Sequence, residues 1–447
     1  MIWNEAVETM PRAELESLQS ERLAQLAAYV YQRTPFYKQK FDELGIKTAA
    51  IKDLRDLTKL PFTRKSDLRD NYPFDLFAVP MDEIIRVHAS SGTTGQPIVV
   101  GYTRDDLQIW AEVCARCFAL SGAKPGDMFQ NAYGYGLFTG GLGMHYGAET
   151  MGLTVIPVSG GNSKRQIMLL QDFQTDIMAC TPSYALTLAD KLMEAGIDSA
   201  ELPVRSFILG AEPWTEGMRQ EIESKLHVDA VNIYGLSEII GPGVSNECVE
   251  AKDGMHIMED HFLPEIINPD TGESVADGEI GELVITTLTK QAIPLLRYRT
   301  GDLCSITHEI CQCGRSHARM SRILGRTDDM LVIRGINLFP TQIEAALIGL
   351  DHLTPHHRII INRKERLDTL EVQVEVTEAF FRHVGNDALA GHPETAVEDV
   401  QMLESTVQKA LHETLGLSTK VTMLAPGNGP RSEGGKLNRV VDKRVLG

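Results

Sequence analysis

At 447 residues, with a formal net charge of −18 and 43% hydrophobic side chains, the chain is too long for one core. Its acidity argues against a nucleic-acid or anionic-membrane partner and leaves a small-molecule substrate as the favoured class. Seven cysteines, four of them crowded between 248 and 313, fit metal ligation better than a secreted disulfide framework.

The opening segment MIWNEAVETMPRAELESL is acidic and helical in period, and no apolar run reaches eighteen residues. Both features point to a cytoplasmic protein with no membrane partner. Monomer and homodimer are left open. Helical periodicity is clear over 14–32 and 104–120, and Cys114 and Cys117 inside the second helix read as core thiols. TVIPV at 154–158, RSFILG at 205–210 and DAVNIYG at 229–235 predict buried strands, each ending in a glycine-containing loop. Ligands of open α/β sheets collect at such strand ends. EIGELVITTL at 279–288 predicts an alternating strand.

A domain boundary falls at Asp328, dividing the chain into 1–327 and 328–447. In the second part Thr341 and Glu344 predict a capping box opening a helix, and RIIIN and TLEVQVEV predict strands. A helix over 398–415 is closed by Gly416, and KVTML at 420–424 adds a further strand. This is a compact α+β unit of roughly 110 residues. The fold class is α/β, a large N-terminal domain of packed sheets and helices followed by a small α+β domain.

Ser90-Ser91-Gly92-Thr93-Thr94-Gly95-Gln96-Pro97 follows the strand-like run IIRVHA. Its glycines let backbone N–H groups approach an anion, and its hydroxyls donate further hydrogen bonds, so the loop suits a polyphosphate. It is not the GxxxxGK[ST] loop of NTPases, because the lysine is missing. GAEP at 210–213, YGLSE at 234–238, RYRTGD at 297–302, GRTDDMLVIRGINLFPTQIE at 325–344 and GGKLNR at 434–439 follow in order. With PFTRKSDLRDNYPFDLFAVP at 61–80 ahead of the hydroxyl loop, this set resembles the phenylacetate–CoA ligase family of the adenylate-forming superfamily. The resemblance spans nearly the whole chain.

The resemblance implies an enzyme that joins a carboxylic acid to CoA through an acyl adenylate, using ATP and Mg²⁺, with a small C-terminal domain that moves. The hydroxyl loop from Ser90 through Ser91, Gly92, Thr93, Thr94 and Gly95 would hold phosphates. Gly210, Ala211, Glu212 and Pro213 would border the adenine and Tyr234 would stack on it. Gly235 and Leu236 lead from that ring to Ser237, near the α-phosphate, where the motif commonly has Thr. Glu238 would bind Mg²⁺, for which a carboxylate oxygen is a suitably hard ligand. Asp302 would accept hydrogen bonds from the ribose hydroxyls, and Arg326 would reach ribose or phosphate from the linker. Lys436, a point charge on a long stem, would bridge the attacking carboxylate and the α-phosphate. Asp328 would be the hinge, and Gly335 would line the tunnel for the CoA thiol. In NAYGYGLFTGGLGMHYG at 131–147, Tyr135 and Phe138 are candidate walls of an aromatic-lined acyl pocket.

Cys248, His256, Cys311 and Cys313 could complete a closed tetrahedral Zn²⁺ site, a staple between loops rather than a catalytic centre. Cys304, His308 and His317 rival them for a ligand position, and unliganded thiols are the alternative. Two other functions compete with the CoA ligase. One is an adenylyltransferase or ligase of the same fold that never uses CoA, and the other is a nucleotide-binding regulator without chemistry. Lys436 and Glu238 disfavour the regulator, and Gly335 favours the CoA user.

Overall fold

The computed structural model describes residues 1–90, 97–327, 331–334, 336–364, 367–389, 397–431, 437 and 439–444. The first long helix, Arg12–Arg33, buries Leu15, Gln19, Leu23, Leu26, Ala27 and Val30, a stripe at three- and four-residue spacing. Leu23, Leu26, Ala27 and Val30 of that stripe share a core with Leu57, Leu60, Leu263 and Leu296. Each such leucine contributes about 1.5–3 kcal/mol by leaving water. Helix Arg104–Leu120 starts where Thr103 accepts the Asp106 N–H at 3.1 Å while the Asp106 carboxylate accepts the Thr103 N–H at 3.0 Å. It is buried all round from Val113 to Leu120, and Cys114 and Cys117 are core thiols there.

Beside this helix runs a nine-stranded sheet. Its parallel half consists, in spatial order, of Thr154–Ile156, Met128–Asn131, Ile177–Cys180, Ser206–Gly210 and Asp229–Leu236. The helices Gly140–Met151, Pro182–Glu194 and Glu216–Leu226 lie between these strands in sequence, as parallel pairing requires of its crossovers. The antiparallel half continues through Gly241–Glu247, Met255–Ile257, Arg319–Met320 and Ile306–Thr307. Sheet position thus separates two chemistries. Two neighbouring parallel strands, Ser206–Gly210 and Asp229–Leu236, end at the GAEP and YGLSE segments, and the antiparallel strands carry His256 and lead to Cys248.

The strand expected to alternate is instead buried at every position of Gly281–Thr287. It is an inner strand of a four-stranded antiparallel sheet with Phe262–Ile267, Tyr298–Cys304 and Gly325–Arg326. The polar positions survive burial because the Thr286 and Thr287 hydroxyls accept the N–H groups of Arg297 and Leu295 at 2.9 and 2.8 Å.

A separate core gathers side chains from Leu331 to Met423. Strands Leu353–Lys364 and Leu367–Val376 pair antiparallel, with Lys420–Leu424 and Val440–Asp442 added in parallel at either side. Helix Val397–Leu415 ends at Gly416, whose φ of +67° and N–H bond to His412 O close it as expected. The expected capping box at Thr341 and Glu344 does not form. Pro340 occupies the first helical position, so the helix starts earlier and Gln342 accepts the Phe339 N–H at 2.9 Å. Thr341 donates instead to Leu324 O, and Glu344 turns into the contact between the two domains. The hinge candidate Asp328 lies outside the described residues, and no helix among those described is long and apolar enough to cross a membrane.

Candidate active site

The strands Arg86–Ala89 and Val99–Tyr102 form an antiparallel hairpin whose closing contacts belong to Ser90. Its N–H donates to Ile98 O at 2.9 Å and its hydroxyl accepts the Ile98 N–H at 3.1 Å. Ser91, Gly92, Thr93, Thr94 and Gly95 lie outside the described residues.

Gly210 ends a fully buried strand, and a β-carbon on it would lie 2.4 Å from Ile233 O, so no other residue fits without moving the neighbouring strand. The chain then turns through Ala211 at φ +70°, leaving Ala211 and Pro213 exposed. Glu212 makes two different contacts. One carboxylate oxygen accepts the Ser183 N–H at 2.7 Å, and the other accepts the N–H of Leu437, 225 residues away, at 3.3 Å. Lys436 itself lies outside the described residues, as does Gly335.

Tyr234, Gly235 and Leu236 end the next strand, Asp229–Leu236. The Tyr234 hydroxyl donates to Asp302 at 2.6 Å, and Arg326 donates to the other Asp302 oxygen at 2.5 Å and to Thr300 O at 3.1 Å. Asp302 is buried, and burial together with its charge pushes the Tyr234 phenol well above its ordinary pKa. Tyr234 thus remains a neutral donor. Next along the chain, the Ser237 and Thr139 hydroxyls lie 3.1 Å apart. The Glu238 carboxylate, 6% exposed, meets the Tyr298 hydroxyl.

Lys290 is a member of this site that periodicity does not reveal. It is fully buried, donates to the carbonyls of Glu238 at 3.2 Å and Ile239 at 2.7 Å, and stands 4.9 Å from the centre of the Tyr102 ring. Burial lowers its pKa to about 8, against the opposing charges of Asp106 and Glu238. In sequence the lysine sits in the polar stretch TTLTKQ, just ahead of the apolar AIPLL.

Tyr135 and Phe138 are both half-buried in the segment before helix Gly140–Met151. The Tyr135 hydroxyl accepts the Asn131 side-chain amide at 2.7 Å and lies 3.1 Å from His145 Nδ1, whose Nε2 lies 3.1 Å from Glu149. Burial pushes the Tyr135 phenol up to about 12. Its ring is therefore anchored by a polar chain that leads to the surface.

A second cluster lies at the antiparallel end of the large sheet. Cys248, His256, Cys311 and Cys313 bring one ligand atom each to within 4.8 Å of one another. Cys248 Sγ is 3.7 Å from Cys311 Sγ, and Cys313 Sγ is 3.5 Å from His256 Nε2. Tetrahedral Zn–S bonds of about 2.3 Å and a Zn–N bond of about 2.0 Å require separations of roughly 3.8 and 3.5 Å for such pairs. The donor set therefore fits a zinc ion, and all the cysteines are free thiols. Of the rival ligands, Cys304 is buried in the strand Tyr298–Cys304, His308 pairs with Asp277 at 3.0 Å, and His317 is buried beyond the four-donor group. Arg315, two residues past Cys313, makes a buried ion pair with Glu8, which also accepts the N–H groups of Trp3 and Asn4 at 2.9 and 2.7 Å. The N-terminus is tied to this cluster through that pair.

Comparison with known proteins gives the site its family. Residues 19–289 match the model for the AMP-binding enzyme family, and 335–444 match the AMP-binding enzyme C-terminal domain. A phenylacetate–coenzyme A ligase of Thermus thermophilus is 55% identical over 444 residues, covering 99% of this chain and all of that one. Among solved structures, 2-hydroxyisobutyryl-CoA ligase in its postadenylation state with 2-HIB-AMP is 29% identical and superposes with a TM-score of 0.90, covering 98% of this chain and 92% of that chain. The same ligase in its thioesterification state, with 2-HIB-AMP and CoA, covers 98% of this chain and 91% of that chain at 30% identity, yet scores 0.71. With nearly equal coverage, the difference lies in how the parts are arranged, and this chain's arrangement is more similar to that of the relative's postadenylation structure. The chain belongs to the phenylacetate–coenzyme A ligase family of AMP-binding enzymes.

Proposed function

We propose that the chain is an ATP-dependent ligase for phenylacetate or a closely related arylacetate, forming the acyl adenylate and then the CoA thioester. The observation that carries this reading is the bond from Leu437 N–H to Glu212, which brings the segment after Lys436 onto the GAEP motif. In the first step a carboxylate oxygen of the acid attacks the α-phosphorus and pyrophosphate leaves with the electrons of the broken P–O bond. In the second, the CoA sulfur attacks the acyl carbon and AMP leaves. Both steps bring anions together, so positioning and charge neutralisation dominate.

Asp302, oriented by Tyr234 and Arg326, receives the ribose hydroxyls, and the Ser237 hydroxyl meets the α-phosphate. Glu238 would hold Mg²⁺, which when bound would neutralise phosphate charge. Lys290 fixes the backbone carbonyls of Glu238 and Ile239. Tyr135 and Phe138 flank the acyl group.

Incubating the protein with ATP and a panel of acids, with and without CoA, tests the function. Acid-dependent pyrophosphate release with CoA thioester as product is expected, greatest for arylacetates. A stable adenylate that CoA leaves untouched would assign a ligase of another kind, and ATP binding without turnover would assign a regulator.

Zinc belongs to the same reading as a structural ion held by Cys248, His256, Cys311 and Cys313. Bound there, it joins the loop after strand Gly241–Glu247 to the Cys311–Cys313 turn and stiffens that end of the sheet. Elemental analysis of protein purified without added metal is expected to give about one zinc per chain. Cys311→Ser should lower the metal content and the melting temperature. A metal-free preparation with an unchanged melting temperature and full activity would remove zinc from the account.

A further inference from the structure

Glu344 is 4% exposed and lies where the small domain meets the large one. One carboxylate oxygen accepts the Thr215 hydroxyl of the large domain at 3.2 Å, and the other accepts Arg439 of the small domain at 2.8 Å. Thr215 is itself fixed, because its hydroxyl caps helix Glu216–Leu226 by accepting the Met218 N–H at 3.3 Å. Arg439 is three residues beyond Lys436, and Leu437 between them is pinned to Glu212 at 3.3 Å. Leu437 therefore meets the large domain directly at Glu212, and Arg439 meets it through Glu344, a small-domain residue whose other oxygen is held by Thr215.

The surroundings are shaped for the same contact. Gly217 is in the first turn of helix Glu216–Leu226, where alanine would favour the helix more. A β-carbon there would stand 2.1 Å from Ile348 Cγ2, so the glycine makes room for a side chain of the small domain. His356 Nε2 of the small domain lies 3.4 Å from Asp190 of the large one. The domain arrangement bearing these contacts scores 0.90 against the postadenylation state of the ligase relative and 0.71 against its thioesterification state.

We propose that Glu344 is a positioning residue for adenylation, a latch in the small domain that ties Arg439, three residues past Lys436, to Thr215 of the large domain. This rests on the two-step reading above. The latch must open for thioesterification, so Glu344 serves the first half-reaction and not the second. The same letters read as a helix cap in the sequence, yet the carboxylate acts across the domain boundary.

Two variants approach the latch from opposite sides. Glu344→Gln keeps the shape and weakens the hold on Arg439, while Gly217→Leu wedges Ile348 away without touching Glu344. Small misplacements of a reacting constellation cost up to about 10²-fold, so each variant should slow acid-dependent ATP–pyrophosphate exchange by about 10- to 100-fold. Conversion of preformed phenylacetyl adenylate and CoA to thioester should stay within about two-fold of wild type or rise. Arg439→Lys, which keeps the charge within reach of Glu344, should recover most of the exchange rate that Arg439→Ala loses. Equal loss of both half-reactions in the two variants would mark the contact as merely structural, and normal exchange in both would remove the latch. A wild-type protein that performs no exchange would instead overturn the two-step reading, an outcome separate from either.

Discussion

Replacing Lys436 by alanine will slow acid-dependent ATP–pyrophosphate exchange by about 10²- to 10³-fold, the usual cost of removing a fixed charge from a transition state. The same variant will still convert synthetic acyl adenylate and CoA to thioester at close to the wild-type rate. The asymmetry follows from the chemistry. Negative charge from the acid's carboxylate and from the α-phosphate converges only while the carboxylate attacks phosphorus, and a lysine tip placed between them acts in that step alone. Once the adenylate exists, the second step needs that space for the CoA thiol. Residues Leu437 and Arg439 are already bound to Glu212 and Glu344, so the substitution removes a side chain from a segment whose neighbours stay anchored. Exchange at the wild-type rate would take Lys436 out of the site.

Gly335→Leu will have the opposite signature, with exchange nearly intact and thioester formation collapsing. The residue lies between the strands Leu331–Ile333 and Ile336–Leu338, which pair with each other in the small domain. In the proposed cycle the small domain turns about Asp328 after adenylation and brings this hairpin to the passage through which the thiol arrives. A leucine side chain would fill that passage. In the adenylation arrangement the segment has no such duty, so the first half-reaction is spared. Measuring both half-reactions on the purified variant checks this. Equal loss in both, or loss of the folded protein, would mean that the glycine serves only the turn.

Much of the large domain was legible because its signals are local. The helix over 104–120 was marked by its period, and the strands at 205–210 and 229–235 by short apolar runs ending in glycine. The four metal-ligand candidates were legible by residue type, but the choice between them and Cys304, His308 or His317 needed the antiparallel strands that bring the four together. What escaped depends on partners distant in sequence. Nothing local shows that Thr286 and Thr287 would be buried, because the N–H groups that donate to their hydroxyls belong to Arg297 and Leu295, later in the chain. Lys290 looks like a surface lysine until Glu238 and Ile239 present their carbonyls to it. Glu344 shows the limit most clearly. Thr-x-x-Glu spells a capping box, but Pro340 advances the helix start and frees the carboxylate for Thr215 and Arg439.

The central claim is that the acid becomes an acyl adenylate before CoA acts, and an oxygen label tests it most directly. Phenylacetate carrying ¹⁸O in its carboxylate would be incubated with the protein, ATP, Mg²⁺ and CoA, and the nucleotide product analysed by mass spectrometry. Attack of the carboxylate on the α-phosphorus places a labelled oxygen in the bridge, and cleavage of the acyl C–O bond by the thiol leaves that oxygen on phosphorus. The account predicts AMP bearing one labelled oxygen, in an amount equal to the phenylacetyl-CoA formed, with unlabelled pyrophosphate. Unlabelled AMP, or ADP with the label in inorganic phosphate, would contradict it.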